Sequence, residues 1–140
     1  MNNNKIIYLD IDGVFLTTKN TKAADYSNEL IQFLVNHFDC FWLTTHCKSG
    51  TNNTIQYLSS FFDQQTLELF KLVKETDWET LKTEAIDFHS DFYWLEDYPF
   101  EAEKKVLVLN GCLPRLITVN LTNHNELKNL MELLTILNNQ

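Results

Sequence analysis

Cysteine is scarce and unpatterned in this chain. Cys40, Cys47 and Cys112 are its three cysteines, too few and too scattered for a disulfide framework, and no C-x-x-C occurs. Arginine is scarcer still. Arg115 stands alone among 11 basic residues, which excludes a phosphate clamp built from several arginines. Long apolar runs are lacking as well. No stretch approaches membrane-spanning length, and Met1-Asn2-Asn3-Asn4-Lys5 carries no signal-peptide core. Positive charge is outweighed by 19 acidic residues, for a net charge of −8. A nucleic-acid binder normally presents a basic face, so this balance argues against such a partner. Together the absences predict a reduced, cytoplasmic protein with no membrane partner.

What is present is enough for one domain, residues 1–140, with a sizeable core: 44% of the chain is hydrophobic and 13% aromatic. Short apolar runs predict strands at Ile6–Leu9, Cys40–Leu43 and Phe92–Leu95, with weaker candidates at Phe70–Val73, Val106–Leu109 and Leu116–Val119. Apolar residues at helical spacing predict helices over Tyr26–Phe38 and Thr122–Leu137, with shorter ones at Asn53–Phe62, at Gln65–Leu69, and from an Asp77 cap through Leu81–Ile86. Phe15 to Asp25 reads as a polar loop. Strands alternating with helices predict an α/β, doubly wound, Rossmann-like and mostly parallel sheet in three layers. Trp42, Tyr93 and Trp94 lie inside strands and read as core.

Three of the strands end in polar residues. The first releases Asp10-Ile11-Asp12-Gly13-Val14, the second Thr44-Thr45-His46-Cys47, and the third Glu96-Asp97. In a parallel sheet those ends converge on one edge, where open α/β sheets place their ligands. An isolated D-x-D is an acidic turn. Grouped with a hydroxyl, a lysine and a second acidic pair, it becomes a site.

Four elements in this order resemble the haloacid dehalogenase-like (HAD) superfamily: Leu9-Asp10-Ile11-Asp12-Gly13-Val14, then Trp42-Leu43-Thr44, then Lys82 in a helix, then Trp94-Leu95-Glu96-Asp97. The match runs from about Lys5 to Val119. The resemblance implies a HAD-like fold and a Mg²⁺-dependent phosphohydrolase. It implies metal ligands from the Asp10 carboxylate, the Asp12 backbone carbonyl and the Glu96–Asp97 pair. It also implies that Thr44 bonds a phosphate oxygen and that Lys82 balances the charge of Asp10 and the phosphate.

The chemistry is coherent. A carboxylate at a strand terminus can act as the in-line nucleophile on a phosphoryl group, forming an acyl phosphate, and Asp10 is placed for that role. Asp12 would protonate the leaving oxygen and later take a proton from water. A cation must offset so many negative charges, and Mg²⁺ prefers hard oxygen ligands. Many relatives carry Asp-Asp or Gly-Asp as the last pair. Glu96 is one methylene longer, so Asp97 is expected to be the direct ligand and Glu96 the water-mediated one. Thr44 is preferred as the strand-end hydroxyl, with Thr45 offering its backbone N–H.

Neither position where relatives insert a cap domain, just after Val14 or within Lys48–Leu81, has room for one. A capless, open site is expected to take a large phosphorylated substrate, or to be closed by a neighbour in a homo-oligomer. Three alternatives compete. His46-Cys47 begins like a thiolate phosphatase loop, but the position six after Cys47 is Asn53 where an arginine is needed. A receiver domain would carry its acidic pair on the first strand. A catalytically silent HAD-like module binding a phospho-ligand or partner would keep the fold and lose the turnover. Lys19, Lys22 and Lys48 follow the catalytic strand ends and read as surface charges or as steering for an anion. His46 reads as a solvated loop histidine, with a substrate contact as the alternative.

Overall fold

The computed structural model describes residues 4–46 and 51–140. Cys47 and Lys48 lie outside the described residues. Strands β1 (Ile6–Leu9), β2 (Asp39–Trp42), β3 (Phe92–Glu96) and β4 (Leu116–Thr118) form one sheet of order β2-β1-β3-β4. Every pairing in it is parallel. Among the described residues the α-helices are α1 (Ser27–His37), α2 (Thr51–Leu58), α3 (Gln64–Phe70), α4 (Glu101–Leu109) and α5 (Glu126–Asn138). None is long and apolar enough to cross a membrane.

Helices cover both faces of the sheet, giving three layers. Alternate strand residues supply the two cores. Ile7, Leu9, Cys40, Trp42, Tyr93 and Leu95 face one way, onto Leu30, Ile31 and Leu34 of α1, Leu67 and Phe70 of α3, and Leu127, Leu130 and Leu134 of α5. Tyr8, Phe92 and Trp94 face the other, onto Ile86 and onto Leu107 of α4. A strand buried on both sides reads as an unbroken apolar run, which is how β1 and β3 announce themselves. Trp42 and Trp94 are fully buried, as expected of core aromatics.

Several local expectations are overturned. Val106–Leu109 is the last turn of α4, not a strand. Its V-L-V-L run is too short to separate the two states by periodicity. Helix geometry buries Leu107 and leaves Val108 and Leu109 on the surface. The helix expected from Asp77 shrinks to a 3₁₀ turn at Lys82–Ala85. There the Glu84 carboxylate accepts the N–H groups of Glu79, Thr80 and Leu81, a side-chain alternative to helical bonding. Phe70–Val73 is not a strand either, since Phe70 closes α3. On the side of β2 away from β1, the described residues add a single bridge, in which Trp42 N–H bonds Lys74 O (2.7 Å) and Lys74 N–H bonds Cys40 O (2.9 Å).

The segment after β1 is less polar than the sequence implies. Val14, Phe15 and Leu16 are wholly buried. Their N–H groups all turn back to Ile11 O, at 3.1, 2.9 and 3.2 Å. A short hairpin follows, closed by the antiparallel bridge Leu16–Ala23. This tight turn fixes where the two aspartates point.

Candidate active site at the carboxyl edge of the sheet

The register sets the site. Leu9 lies opposite Trp42 on one side and Leu95 on the other. Asp10 N–H bonds Leu95 O at 3.2 Å, and Leu43 N–H bonds Leu9 O at 2.7 Å. Asp10 and Glu96 therefore leave β1 and β3 at one level, and Thr44 follows one residue beyond that level after β2.

Asp10 is buried, and its Oδ1 accepts from Ile11 N–H at 2.9 Å. Lys82 Nζ stands 3.5 Å from Asp10 Oδ2 and 2.6 Å from Glu96 Oε1. The sequence pattern predicts this lysine in a helix. It sits instead at the start of the 3₁₀ turn, whose backbone is fastened by a second buried acid. Glu103 of α4 accepts Lys82 N–H on Oε2 (2.9 Å) and Phe100 N–H on Oε1 (2.9 Å).

The two members of the last acidic pair differ in their commitments. Glu96 is buried, with Oε1 on Lys82 and Oε2 accepting the N–H groups of Asp97 (3.1 Å) and Tyr98 (3.3 Å). Asp97 is half-buried and lies against Gly13, close enough that a Cβ on Gly13 would overlap its carboxyl group. Gly13 also has φ +86°, a left-handed conformation that favours glycine. The glycine of D-x-D-G thus does two jobs: it makes the turn and it admits Asp97.

Asp10, Glu96 and Asp97 each offer an oxygen within 4.8 Å of the others. Burial raises all three. Glu96 is pushed up to about 7, first by desolvation and then by its hydrogen bond and charge contact with Asp10. Asp97 is pushed up to about 6, by desolvation and then by Glu96. Asp10 is raised by desolvation, against the pull of Glu96 and Lys82. Burial works against the Lys82 ammonium, but Asp10, Glu96 and Glu103 more than offset it and its pKa lies above the ordinary lysine value. One lysine among three acids leaves the pocket short of positive charge. Oxygen donors with that deficit fit a hard divalent cation.

Asp12, on the adjoining turn, has partners of its own. His46 Nε2 lies 2.9 Å from its Oδ2, and Tyr57 OH donates to its Oδ1 at 2.7 Å. His46 is therefore not the solvated loop residue the sequence implies. Thr44 is buried at the end of β2 and its Oγ1 accepts His46 N–H at 3.4 Å, while Thr45 is exposed. A groove of about 450 Å³ opens beside Asp97, lined also by Gly13, Thr18, Lys19, Thr118 and Asn120. Of the three lysines considered for steering, Lys19 lines that groove.

The chain matches no family model, no curated protein and no solved structure. The site therefore rests on its own geometry. The edge brings together Asp10, Thr44, Lys82, Glu96 and Asp97, with Asp12 on the adjoining turn. Sequence reasoning missed Tyr57, Glu103 and the role of His46. Tyr57 and Glu103 sit on helices with no motif around them, and no local signal marks either.

Proposed function

We propose that this chain is a phosphoric monoester hydrolase of the HAD-like type, without a cap domain, working through an aspartyl-phosphate. The observation that carries the reading is the Lys82 ammonium set between Asp10 and Glu96 at the carboxyl edge of a parallel sheet. A buried carboxylate with one oxygen fixed by Ile11 N–H and the other facing an ammonium is held for attack, not dispersed in solvent.

In the first step an Asp10 oxygen attacks phosphorus in line, the bond to the leaving oxygen breaks, and Asp12 gives that oxygen its proton. In the second, Asp12 takes a proton from water, whose oxygen attacks phosphorus. The Asp10–phosphorus bond then breaks and phosphate departs. Lys82 offsets charge on Asp10 and the phosphoryl oxygens, and Thr44 at the end of β2 supplies a hydroxyl on the phosphate side. Asp10, Asp97 and the Asp12 carbonyl would hold Mg²⁺, with Glu96 behind them. When bound, the ion supplies the positive charge that the acid cluster lacks. The groove beside Asp97 and Lys19 leaves room for a bulky phosphorylated substrate.

The test is hydrolysis of p-nitrophenyl phosphate with and without Mg²⁺. Turnover that needs Mg²⁺, stops with chelator and is lost in Asp10→Asn by at least ~10³-fold supports the reading. Wild-type turnover by Asp10→Asn defeats it.

A further inference from the structure

We propose that His46 and Tyr57 are positioning residues that aim the Asp12 carboxylate at the leaving group. This inference rests on the phosphohydrolase reading above. Asp12 projects from a turn with its side chain 43% exposed. A carboxylate in that setting rotates freely unless something holds it, and an acid–base group works only when a lone pair points at the reacting oxygen.

Both Asp12 oxygens are held. Tyr57 OH donates to Oδ1 at 2.7 Å and His46 Nε2 stands 2.9 Å from Oδ2. Toward a carboxylate oxygen that accepts, the Nε2–H tautomer of His46 is the one that makes this bond. The two partners come from 34 and 45 residues along the chain, one from the loop after β2 and one from α2. Water alone would satisfy an exposed aspartate, so solvation does not account for two distant side chains converging on it.

The clamp is itself braced. The His46 and Tyr57 rings stack, with centroids 4.0 Å apart and planes 16° from parallel. Phe61 meets Tyr57 edge-on at 5.7 Å. The buried Thr54 hydroxyl donates to His46 O at 3.3 Å. Helix α2 thus fixes both the backbone and the ring of His46. Each Asp12 oxygen spends one lone pair on the clamp and keeps the other for the leaving oxygen or the attacking water.

The experiment compares kcat and KM on p-nitrophenyl phosphate and on an alkyl ester, glycerol phosphate, both with Mg²⁺. The variants are Tyr57→Phe, His46→Gln and Tyr57→Phe combined with Asp12→Asn. Tyr57→Phe keeps the stacked ring and removes only the hydroxyl. Each single change is expected to lower kcat/KM on the alkyl ester about tenfold, the worth of a hydrogen bond to a charged group, and kcat/KM on the aryl ester by less than about twofold, because kcat/KM reports leaving-group departure and not the later attack of water, which both esters share. Protonation of the leaving group matters most when that group is basic. Adding Tyr57→Phe to Asp12→Asn is expected to cost nothing more on the alkyl ester. Equal losses of kcat/KM on both esters, or full additivity with Asp12→Asn, overturns the inference while leaving the phosphohydrolase reading intact. A wild type that hydrolyses neither ester defeats that reading, and the catalytic role proposed here goes with it. Imidazole ¹⁵N spectra read the contact without turnover: the His46 Nε2 signal is expected to move in Asp12→Ala, and an unmoved signal overturns the clamp whatever the rates.

Discussion

Lys82 Nζ lies 2.6 Å from Glu96 Oε1, with both side chains largely withdrawn from solvent. The pair joins the 3₁₀ turn to the end of β3. Removing one partner strands a buried charge. Lys82→Met keeps most of the volume and is expected to cost about 3–5 kcal/mol at pH 8, the usual penalty for breaking a buried pair. Glu96 can relieve itself by taking up a proton, so the loss is expected to be smaller at pH 5. Urea unfolding at the two pH values checks this. Turnover is expected to fall by at least ~10² through lost charge stabilisation.

A second prediction follows from the raised carboxyls. Glu96 titrates at about 7 and Asp97 at about 6 in the folded protein, against about 4 for such groups when unfolded. A folded pKa above the unfolded one gives stability that is fully present below the unfolded value and is lost as pH rises through the folded value. The metal-free protein is therefore expected to melt at progressively lower temperature from about pH 4 to pH 7. Lys82, whose pKa is also raised, loses its contribution only in strongly alkaline solution and leaves this window untouched. Mg²⁺ is expected to raise the melting temperature at pH 8 and to do little near pH 4.5, where the acids carry protons. Melting curves with Mg²⁺ or chelator across that range test it. A metal effect independent of pH counts against the acid cluster as the binding site.

Much of this was legible in the sequence for an identifiable reason. β1 and β3 are buried on both faces, so each shows as an apolar run, and a parallel sheet sends their polar ends to one edge. Asp10, Thr44, Glu96 and Asp97 could be grouped from that rule alone. The failures are equally physical. Val106–Leu109 looked like a strand because a helix with only Leu107 buried shows no clean periodicity over four residues. Lys82 reads as helical because nothing local reveals that Glu84 captures the N–H groups of Glu79, Thr80 and Leu81. The partners of Asp12 were invisible because they lie 34 and 45 residues away.

Gly13 is expected to tolerate no side chain. Its φ of +86° and the overlap of a Cβ with the Asp97 carboxyl both oppose one. Gly13→Ala is expected to cost roughly 1–3 kcal/mol from the backbone conformation alone. It is also expected to weaken Mg²⁺ binding by displacing Asp97. Chemical unfolding and calorimetric titration together separate the two effects. A variant as stable as wild type with unaltered binding removes Gly13 from this role.

Glu103 is expected to act on the site through Lys82. It is buried, and its two oxygens hold the N–H groups of Lys82 and Phe100. Glu103→Ala leaves two donors without that partner and is expected to cost about 2 kcal/mol or more, whereas Glu103→Gln keeps one acceptor and recovers part of the loss. Turnover is expected to follow the same order, because a slack Lys82 turn loosens the ammonium from Asp10. Equal stability of the Ala and Gln variants defeats this account.

The final prediction separates the two neighbours Glu96 and Asp97 as metal ligands. Glu96 spends Oε1 on Lys82 and Oε2 on the N–H groups of Asp97 and Tyr98. Its lone pairs are largely committed before any ion arrives. Asp97 is half-buried and stands beside Gly13 on the groove side. A ligand must present an oxygen directly and keep its negative charge, so Asp97→Asn is expected to weaken Mg²⁺ binding at least about tenfold, equivalent to about 1.4 kcal/mol. Glu96→Gln retains one acceptor oxygen and loses charge from the layer behind the ligands, so its effect on binding is expected to be smaller. Its larger effect is expected on stability and on the setting of Lys82. Calorimetric titration of both variants with Mg²⁺, alongside urea unfolding, reads the two quantities separately. If Glu96→Gln abolishes binding and Asp97→Asn leaves it intact, Glu96 is the direct ligand and its bonds to Lys82 and to the backbone must be remade when the metal binds.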